Sequence, residues 1–199
     1  MEKLGIFGGS FNPVHKGHIY LLKSLKEKLG LSKVLVMPSS VPPHKDILEK
    51  VPDEKRIDML KKALEGIKGV EISLFEIENG GKSYTYFTLE EMKGLYPESE
   101  IYFLVGSDMF LSLDSWFNYP KIMDMAVFCA IPREKEDRTR LKEKQKYFSL
   151  LGYRTEVLDI EPLDISSSLI REKIKKGENL GGLLPKSVEE YIRDNKLYV

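Results

Sequence analysis

A chain of 199 residues can form one domain that removes about two-thirds of its unfolded surface from water without needing staples. Hydrophobic residues make up 42% and charged residues 31%, and 31 Lys+Arg balance 31 Asp+Glu, so no overall field draws the chain to DNA, RNA or an anionic membrane. One cysteine, Cys129, excludes an internal disulfide and points to the reducing cytoplasm, where no ~18-residue apolar run suggests a membrane span and Gly8-Gly9 cut the first apolar stretch too short for a signal peptide.

Taken in chain order, Leu4–Phe7 predicts the first strand, and it runs into Gly8-Gly9-Ser10-Phe11-Asn12-Pro13-Val14-His15-Lys16-Gly17-His18. Ile19, Leu22, Leu25 and Leu29 then recur at helical spacing up to Gly30, placed as a C-terminal cap. Lys33–Met37 predicts a second strand, followed by the proline-stiffened turn Pro42-Pro43-His44-Lys45. Ile57, Leu60, Leu64 and Ile67 mark the next helix, with Arg56 on a helix face and without an assigned role. Val70–Leu74 reads as the third strand, and Ser83-Tyr84-Thr85-Tyr86-Phe87-Thr88-Leu89 opens a helix that Ser83 or Thr85 would cap. Ile101–Val105 predicts the fourth strand, leading into Gly106-Ser107-Asp108 and, eight residues further, Trp116.

Ala126–Ile131, carrying Cys129, reads as a buried fifth strand that ends at Pro132-Arg133. Arg133 to Lys146 is charge-dense, as a solvated loop and helix face would be. Thr155–Leu158 predicts a sixth strand, and two helical patterns follow from Ile165 on, the second beginning with Pro185 in its first turn. Alternation of apolar strands with amphipathic helices predicts the α/β class: a doubly wound, mostly parallel sheet with helices on both faces. A single domain over 1–199 is expected, with a small C-terminal helical extension over about 165–199. In such a sheet ligands bind outside the carboxyl ends of the strands, so function belongs in the strand-to-helix loops.

The first loop has the outline of a phosphate site. Gly8 and Gly9 allow close backbone approach, and a helix starting near Gly17 offers unpaired N–H groups and a positive dipole end. His15 and His18 lie three apart across that helix start, so both rings can face one ligand. The glycine spacing does not match G-x-G-x-x-G, and no Walker lysine is present. Towards the other end, Asp164-Ile165-Ser166-Ser167-Ser168-Leu169-Ile170-Arg171 precedes a helix and sets Arg171 one turn beyond Ser167, so hydroxyls, first-turn N–H groups and a guanidinium meet on one face.

The first loop resembles the (H/T)xGH signature of the nucleotidyltransferase superfamily, and its GG-x-F-x-P-x-H-x-GH form is similar to the nicotinate-nucleotide adenylyltransferase family. Ser10 and Asn12 stand where that family more often has Thr and Asp, and Asn12 is given no catalytic role. The distal segment resembles the superfamily's ISSTxIR motif, with Ser168 for Thr. The resemblance runs from Leu4 to the Leu184-Pro185 and Tyr191-Ile192 region and implies a Rossmann-like fold and a nucleotidyltransferase enzyme. It implies that His15, His18, Lys45 and Arg171 are catalytic. ATP would be held by Gly8, Gly9, Ser10, Phe11, His15, His18, Gly106, Asp108, Ile165, Ser167, Ser168 and Arg171.

Chemistry accounts for two histidines without a base. A phosphate monoester with a second pKa of about 6 is largely dianionic at pH 7 and can attack the α-phosphorus of ATP undeprotonated. The enzyme then has to position the reactants and stabilise charge on the phosphoryl and leaving oxygens. No cluster of acidic residues suggests a protein metal cage, so Mg²⁺ is expected on the ATP phosphates with no dedicated metal ligands.

By the same resemblance, the acceptor, nicotinate mononucleotide, would contact Lys45, Ser83, Tyr84, Thr85, Asp108, Trp116 and Arg133, with His44 a lesser candidate. Amides at the start of a helix welcome a carboxylate more than a carboxamide, which favours nicotinate over nicotinamide. The expected product is nicotinate adenine dinucleotide with pyrophosphate, in NAD biosynthesis. Alternatives are nicotinamide mononucleotide or phosphopantetheine adenylyltransferase, and, from a different class, a non-catalytic nucleotide-binding protein. A fragment of a class I aminoacyl-tRNA synthetase would need a KMSKS-like loop and a basic RNA surface, and neither is present. ATP and nicotinate mononucleotide are thus the expected partners, with no nucleic acid and no membrane, and assembly into a homo-oligomer stays open.

Overall fold

Side chains along each strand alternate between two faces of one sheet, and each face builds its own core. The computed structural model describes residues 2–40, 51–81, 83–132 and 135–199. In chain order it forms strand β1 (Glu2–Gly9), helix α1 (Lys16–Leu29), β2 (Lys33–Pro38), α2 (Asp53–Leu64), β3 (Val70–Ile72), α3 (Phe75–Asn79) and α4 (Thr85–Leu95). There follow β4 (Ser99–Gly106), α5 (Ser107–Leu111), a 3-10 turn at Leu113–Ser115, α6 (Tyr119–Met125), β5 (Val127–Ile131), α7 (Lys135–Leu150), β6 (Thr155–Val157), α8 (Ser167–Lys175) and α9 (Lys186–Asp194).

The sheet order is β3-β2-β1-β4-β5-β6, and all five pairings are parallel, more uniform than the mostly parallel sheet expected. Strand order reverses between β1 and β4, so the crevice above their carboxyl ends is the switch point where such sheets bind ligands. All six strands fall where the apolar runs predict them.

On one face Val34, Val36, Leu104, Val127 and Cys129 pack beneath Leu22 and Leu25 of α1, Met59 and Leu60 of α2, Ile170 of α8 and Val188 of α9. On the other, Ile6, Leu35, Phe103 and Phe128 pack beneath Leu89 of α4, Phe110 of α5, Ile122 of α6 and Phe148 of α7. The C-terminal helices are therefore part of the first core rather than an appendage. Gly5 faces the same core, where a Cβ would stand 2.6 Å from Leu31 Cδ1.

Among the helix ends expected from sequence, one is as expected and two differ. Gly30 closes α1 in the left-handed conformation at φ 63°. Pro185 is the N-cap of α9 rather than its first helical residue, because the helix begins at Lys186. Neither Ser83 nor Thr85 caps α4: Tyr84 occupies the N-cap without a side-chain cap bond, and the Ser83 hydroxyl accepts instead from the Ser40 N–H at 3.3 Å. No helix among the described residues is long and apolar enough to cross a membrane.

Candidate active site

The loop after β1 is gripped from two sides. Phe11 adopts φ 45°, a left-handed conformation that is costly for a bulky residue, yet its side chain is buried. Its two neighbours explain how this is sustained. Arg56 of α2 donates through Nη1 to the Ser10 carbonyl at 2.7 Å, and Arg171 of α8 donates through Nη1 to the Asn12 carbonyl at 2.8 Å. The Ser167 hydroxyl donates to the Pro13 carbonyl at 2.9 Å, and the Tyr198 hydroxyl to Asn12 Oδ1 at 2.7 Å. Helix α8 and the segment after α9 thus dock directly on the glycine-rich loop.

The two histidines stack, with ring centroids 3.6 Å apart and planes 29° from parallel. Two cations cannot share that spacing cheaply. His15 is buried, and desolvation pushes its pKa down to about 4. His18 is held well below the ordinary imidazole value, first by desolvation and then by the neighbouring His15. Its ring is enclosed by His15, by Phe11 at 5.0 Å and by Phe7 at 6.3 Å between centroids. His18 Nδ1 accepts from the His15 N–H at 3.2 Å, so in the neutral ring Nε2 carries the proton and is a hydrogen-bond donor. His15 Nδ1 is buried without a hydrogen-bond partner among the described residues, and a Cβ on Gly17 would lie 3.0 Å from it. The glycine between the histidines is what lets the His15 ring lie against the backbone.

Gly8 and Gly9 differ. A Cβ on Gly9 would lie 3.0–3.2 Å from the Phe11 ring, whereas one on Gly8 would meet none of the described residues within 4 Å. On α8 Ser166 is the N-cap, accepting from the Leu169 N–H at 3.1 Å, while Ser168 accepts from Arg171 Nη2 at 3.2 Å. Ile165 packs beside Gly17. Gly106 ends β4 next to β1, and Asp108 is exposed at the start of α5. The residues expected to hold ATP therefore surround the carboxyl ends of β1 and β4.

Two of the segments expected to meet the acceptor adjoin one another. Tyr84 and Phe117 approach to 5.4 Å between ring centroids, bringing the start of α4 against the segment that carries Trp116. Trp116 is half buried and meets Phe128 edge-on at 6.2 Å, anchored to the second core. Beside it Tyr84, Phe87 and Phe117 form an exposed aromatic cluster. A small cleft between α3 and α4 is lined by Glu76, Asn79, Ser83, Tyr84 and Thr88. Glu76 is buried, accepts from the Thr88 hydroxyl at 3.1 Å, and has its pKa raised by that burial against the opposing hydrogen bonds of Ser83 and Thr88. Lys45, His44 and Arg133 lie outside the described residues.

Three residues at the centre of this arrangement carry no expectation from sequence: Arg56, Glu76 and Tyr198. Arg56 is wholly buried. Its position three and four residues before Met59 and Leu60 places it on the buried face of α2, a pattern that flags a cation turned inward. Burial pushes the Tyr198 phenol upward, opposed by the positive charges of Arg171 and Arg56. Among the described residues no group of three or more His, Cys, Asp or Glu could hold a metal ion.

Comparison with known proteins adds an independent line. The Cytidylyltransferase-like family model matches residues 6–173. The chain is 36% identical over 200 residues to a Clostridium acetobutylicum protein named probable nicotinate-nucleotide adenylyltransferase, covering 100% of both chains. It is 36% identical over 197 residues to a Streptococcus pneumoniae serotype 4 protein of the same name, covering 99% of this chain and 89% of that one. The fold is similar to that of the Plasmodium falciparum nicotinic acid mononucleotide adenylyltransferase complexed with NaAD, with a TM-score of 0.75 at 20% identity over 100% of this chain and 98% of that one. With its glycine–histidine loop and its distal serine–arginine segment converging at the β1–β4 crevice and full-length relatives above 30% identity, the chain belongs to the nicotinate-nucleotide adenylyltransferase family of cytidylyltransferase-like enzymes.

Proposed function

We propose that this enzyme transfers AMP from ATP to nicotinate mononucleotide. A phosphate oxygen of the acceptor forms a bond to the α-phosphorus, the bond from that phosphorus to the bridging oxygen breaks, and pyrophosphate leaves with the electron pair. The product is nicotinate adenine dinucleotide. The observation that carries the reading is the docking of Arg171 and Ser167 onto the Asn12–Pro13 backbone, next to the stacked His15 and His18. One triphosphate at the β1–β4 crevice can then be met from both sides.

Both imidazoles are neutral at pH 7, since their pKa values lie below the ordinary range. They act as hydrogen-bond donors to phosphoryl oxygens rather than as acids, and His18 does so through Nε2–H. Arg171, Ser167 and Ser168 meet the leaving pyrophosphate with charge and hydroxyls. Mg²⁺ carried by the ATP phosphates would supply charge neutralisation there, and no residue of this chain is assigned to hold it. Lys45 is the further candidate for a phosphate contact, and Arg133 for a contact with the nucleotides. The amides at the start of α4, with Ser83 and Thr85, meet the pyridine carboxylate, and Trp116 offers a flat face to the ring. The reaction takes place in the cytoplasm, and its substrates are small molecules.

The test supplies Mg-ATP with nicotinate mononucleotide, nicotinamide mononucleotide or phosphopantetheine and follows pyrophosphate release. Turnover is expected to be fastest with nicotinate mononucleotide. Equal or faster turnover of either rival acceptor overturns the choice of acceptor, and no pyrophosphate with any of them overturns adenylyl transfer.

A further inference from the structure

Arg56 joins the β1–α1 loop to the residues just after β2. Its Nη1 donates to the Ser10 carbonyl of the β1–α1 loop at 2.7 Å, and its Nη2 donates to the Ser39 carbonyl just after β2 at 2.8 Å and to Asp53 Oδ1 at 2.6 Å. The same two loops are tied once more by the Ser39 N–H, which donates to the Gly9 carbonyl at 2.9 Å. One residue further, the Ser40 N–H donates to Ser83 Oγ at the start of the α4 segment. A continuous set of hydrogen bonds therefore runs from the glycine-rich loop through Arg56 and Ser39–Ser40 to Ser83.

A wholly buried guanidinium is a poor choice if stability is the only demand. Desolvating it costs several kcal/mol, and an apolar side chain of similar volume commonly serves a core as well or better. Its Nε–H is buried without a partner among the described residues, so the side chain is set by what its two terminal nitrogens reach. What a planar fork does that an apolar group cannot is fix two carbonyls at a set separation. Ser10 immediately precedes Phe11, whose left-handed backbone carries the ring against His18. Ser39 is followed by Ser40, whose N–H meets the Ser83 hydroxyl on the acceptor side.

We infer that Arg56 is a positioning residue for adenylyl transfer: it sets the β1–α1 loop, which holds ATP, relative to Ser39–Ser40 and, through them, the Ser83 segment, which holds the acceptor. The inference rests on the proposed function. Arg56 touches neither substrate. It acts on the distance between them, and about 1 Å of misplacement at a reacting pair costs about 100-fold in rate.

Arg56→Lys keeps the charge and loses the fork. With both substrates saturating, kcat is expected to fall about 30-fold, because the reactants are bound but misaligned. Binding of Mg-ATP alone and of nicotinate mononucleotide alone, each by calorimetry, should stay within about threefold of wild type, since each loop still holds its own substrate. A structural role would instead weaken the single-substrate affinities along with folding and leave kcat per folded molecule unchanged. Should Arg56→Lys fail to fold, Asp53→Asn loosens the anchor of the fork while keeping its two carbonyl partners, and kcat should fall about 3- to 10-fold with the same single-substrate affinities. A folded variant with wild-type kcat, or one whose loss lies wholly in the affinity for one substrate, overturns the inference while wild type remains active. A wild-type chain inactive with nicotinate mononucleotide overturns the proposed function and this inference with it.

Discussion

The Arg171 guanidinium donates to the Asn12 carbonyl at 2.8 Å across 159 residues of chain. That bond makes α8 a wall of the same crevice as the glycine-rich loop. Its other terminal nitrogen rests on Ser168 Oγ, so the fork is aligned before any ligand arrives. Arg171→Lys should therefore lower kcat/KM for ATP by about 100-fold, as loss of a bidentate, charge-stabilising donor does. A loss within about threefold, in a variant that folds normally, would remove Arg171 from the phosphate site.

His18 is enclosed by three aromatic rings and presents a neutral donor. His18→Ala should lower kcat by at least ~100-fold while leaving the folded structure intact by circular dichroism. Because the ring does not titrate near neutrality, the acid limb of kcat/KM belongs to the acceptor's phosphate, near its second pKa of about 6. The residual activity of His18→Ala should keep that limb in place. A limb that shifts or disappears in the variant would make His18 a titrating acid and contradict its role as a neutral donor.

Burial of His15 links folding to pH. Its folded pKa of about 4 lies below the ordinary 6.5, so between those values the unfolded chain takes up a proton that the folded chain refuses. The stabilising contribution is complete above pH 6.5, is lost progressively as pH falls, and is gone below about 4. Urea midpoints compared at pH 7.5 and pH 5 should drop more for wild type than for His15→Gln, from which this titration is absent. His18, depressed in the same direction, leaves the variant some residual slope. Equal drops in both proteins would mean that His15 is not desolvated.

Strands and most helices were legible because burial on both sheet faces writes itself into short apolar runs, as in Val34–Met37 and Val127–Ile131. The residues that meet at the β1–β4 crevice were legible as motifs, because the glycine pair, the two histidines and the serine–arginine segment each stand together in sequence. What escaped was the network between distant loops. Arg56 leaves a trace only in its helical register with Met59 and Leu60, and Tyr198 leaves none, because nothing local marks a tyrosine beyond α9 as a partner of Asn12. The capping of α4 was misassigned for a similar reason: Ser83 has the chemistry of a cap, but the Ser40 amide occupies it. Local propensity gave way there to a tertiary hydrogen bond.

Gly8 and Gly9 separate folding from binding within one dipeptide. Neither has a positive φ, so alanine is allowed by the backbone at both. At Gly9 the added methyl would press on the buried Phe11 ring at 3.0–3.2 Å, and that ring cannot retreat without disturbing His18. Gly9→Ala should cost about 1–3 kcal/mol in urea unfolding, the range for overpacking a filled site. At Gly8 the methyl meets none of the described residues, so Gly8→Ala should leave stability within about 0.5 kcal/mol of wild type. If ATP lies against Gly8, the same methyl meets the nucleotide, and KM for ATP should rise about tenfold or more, the equivalent of about 1.4 kcal/mol. A Gly8→Ala enzyme with wild-type KM for ATP would place the triphosphate elsewhere on the crevice, and a Gly8→Ala loss of stability equal to that of Gly9→Ala would show that the space above Gly8 is closed by the protein itself.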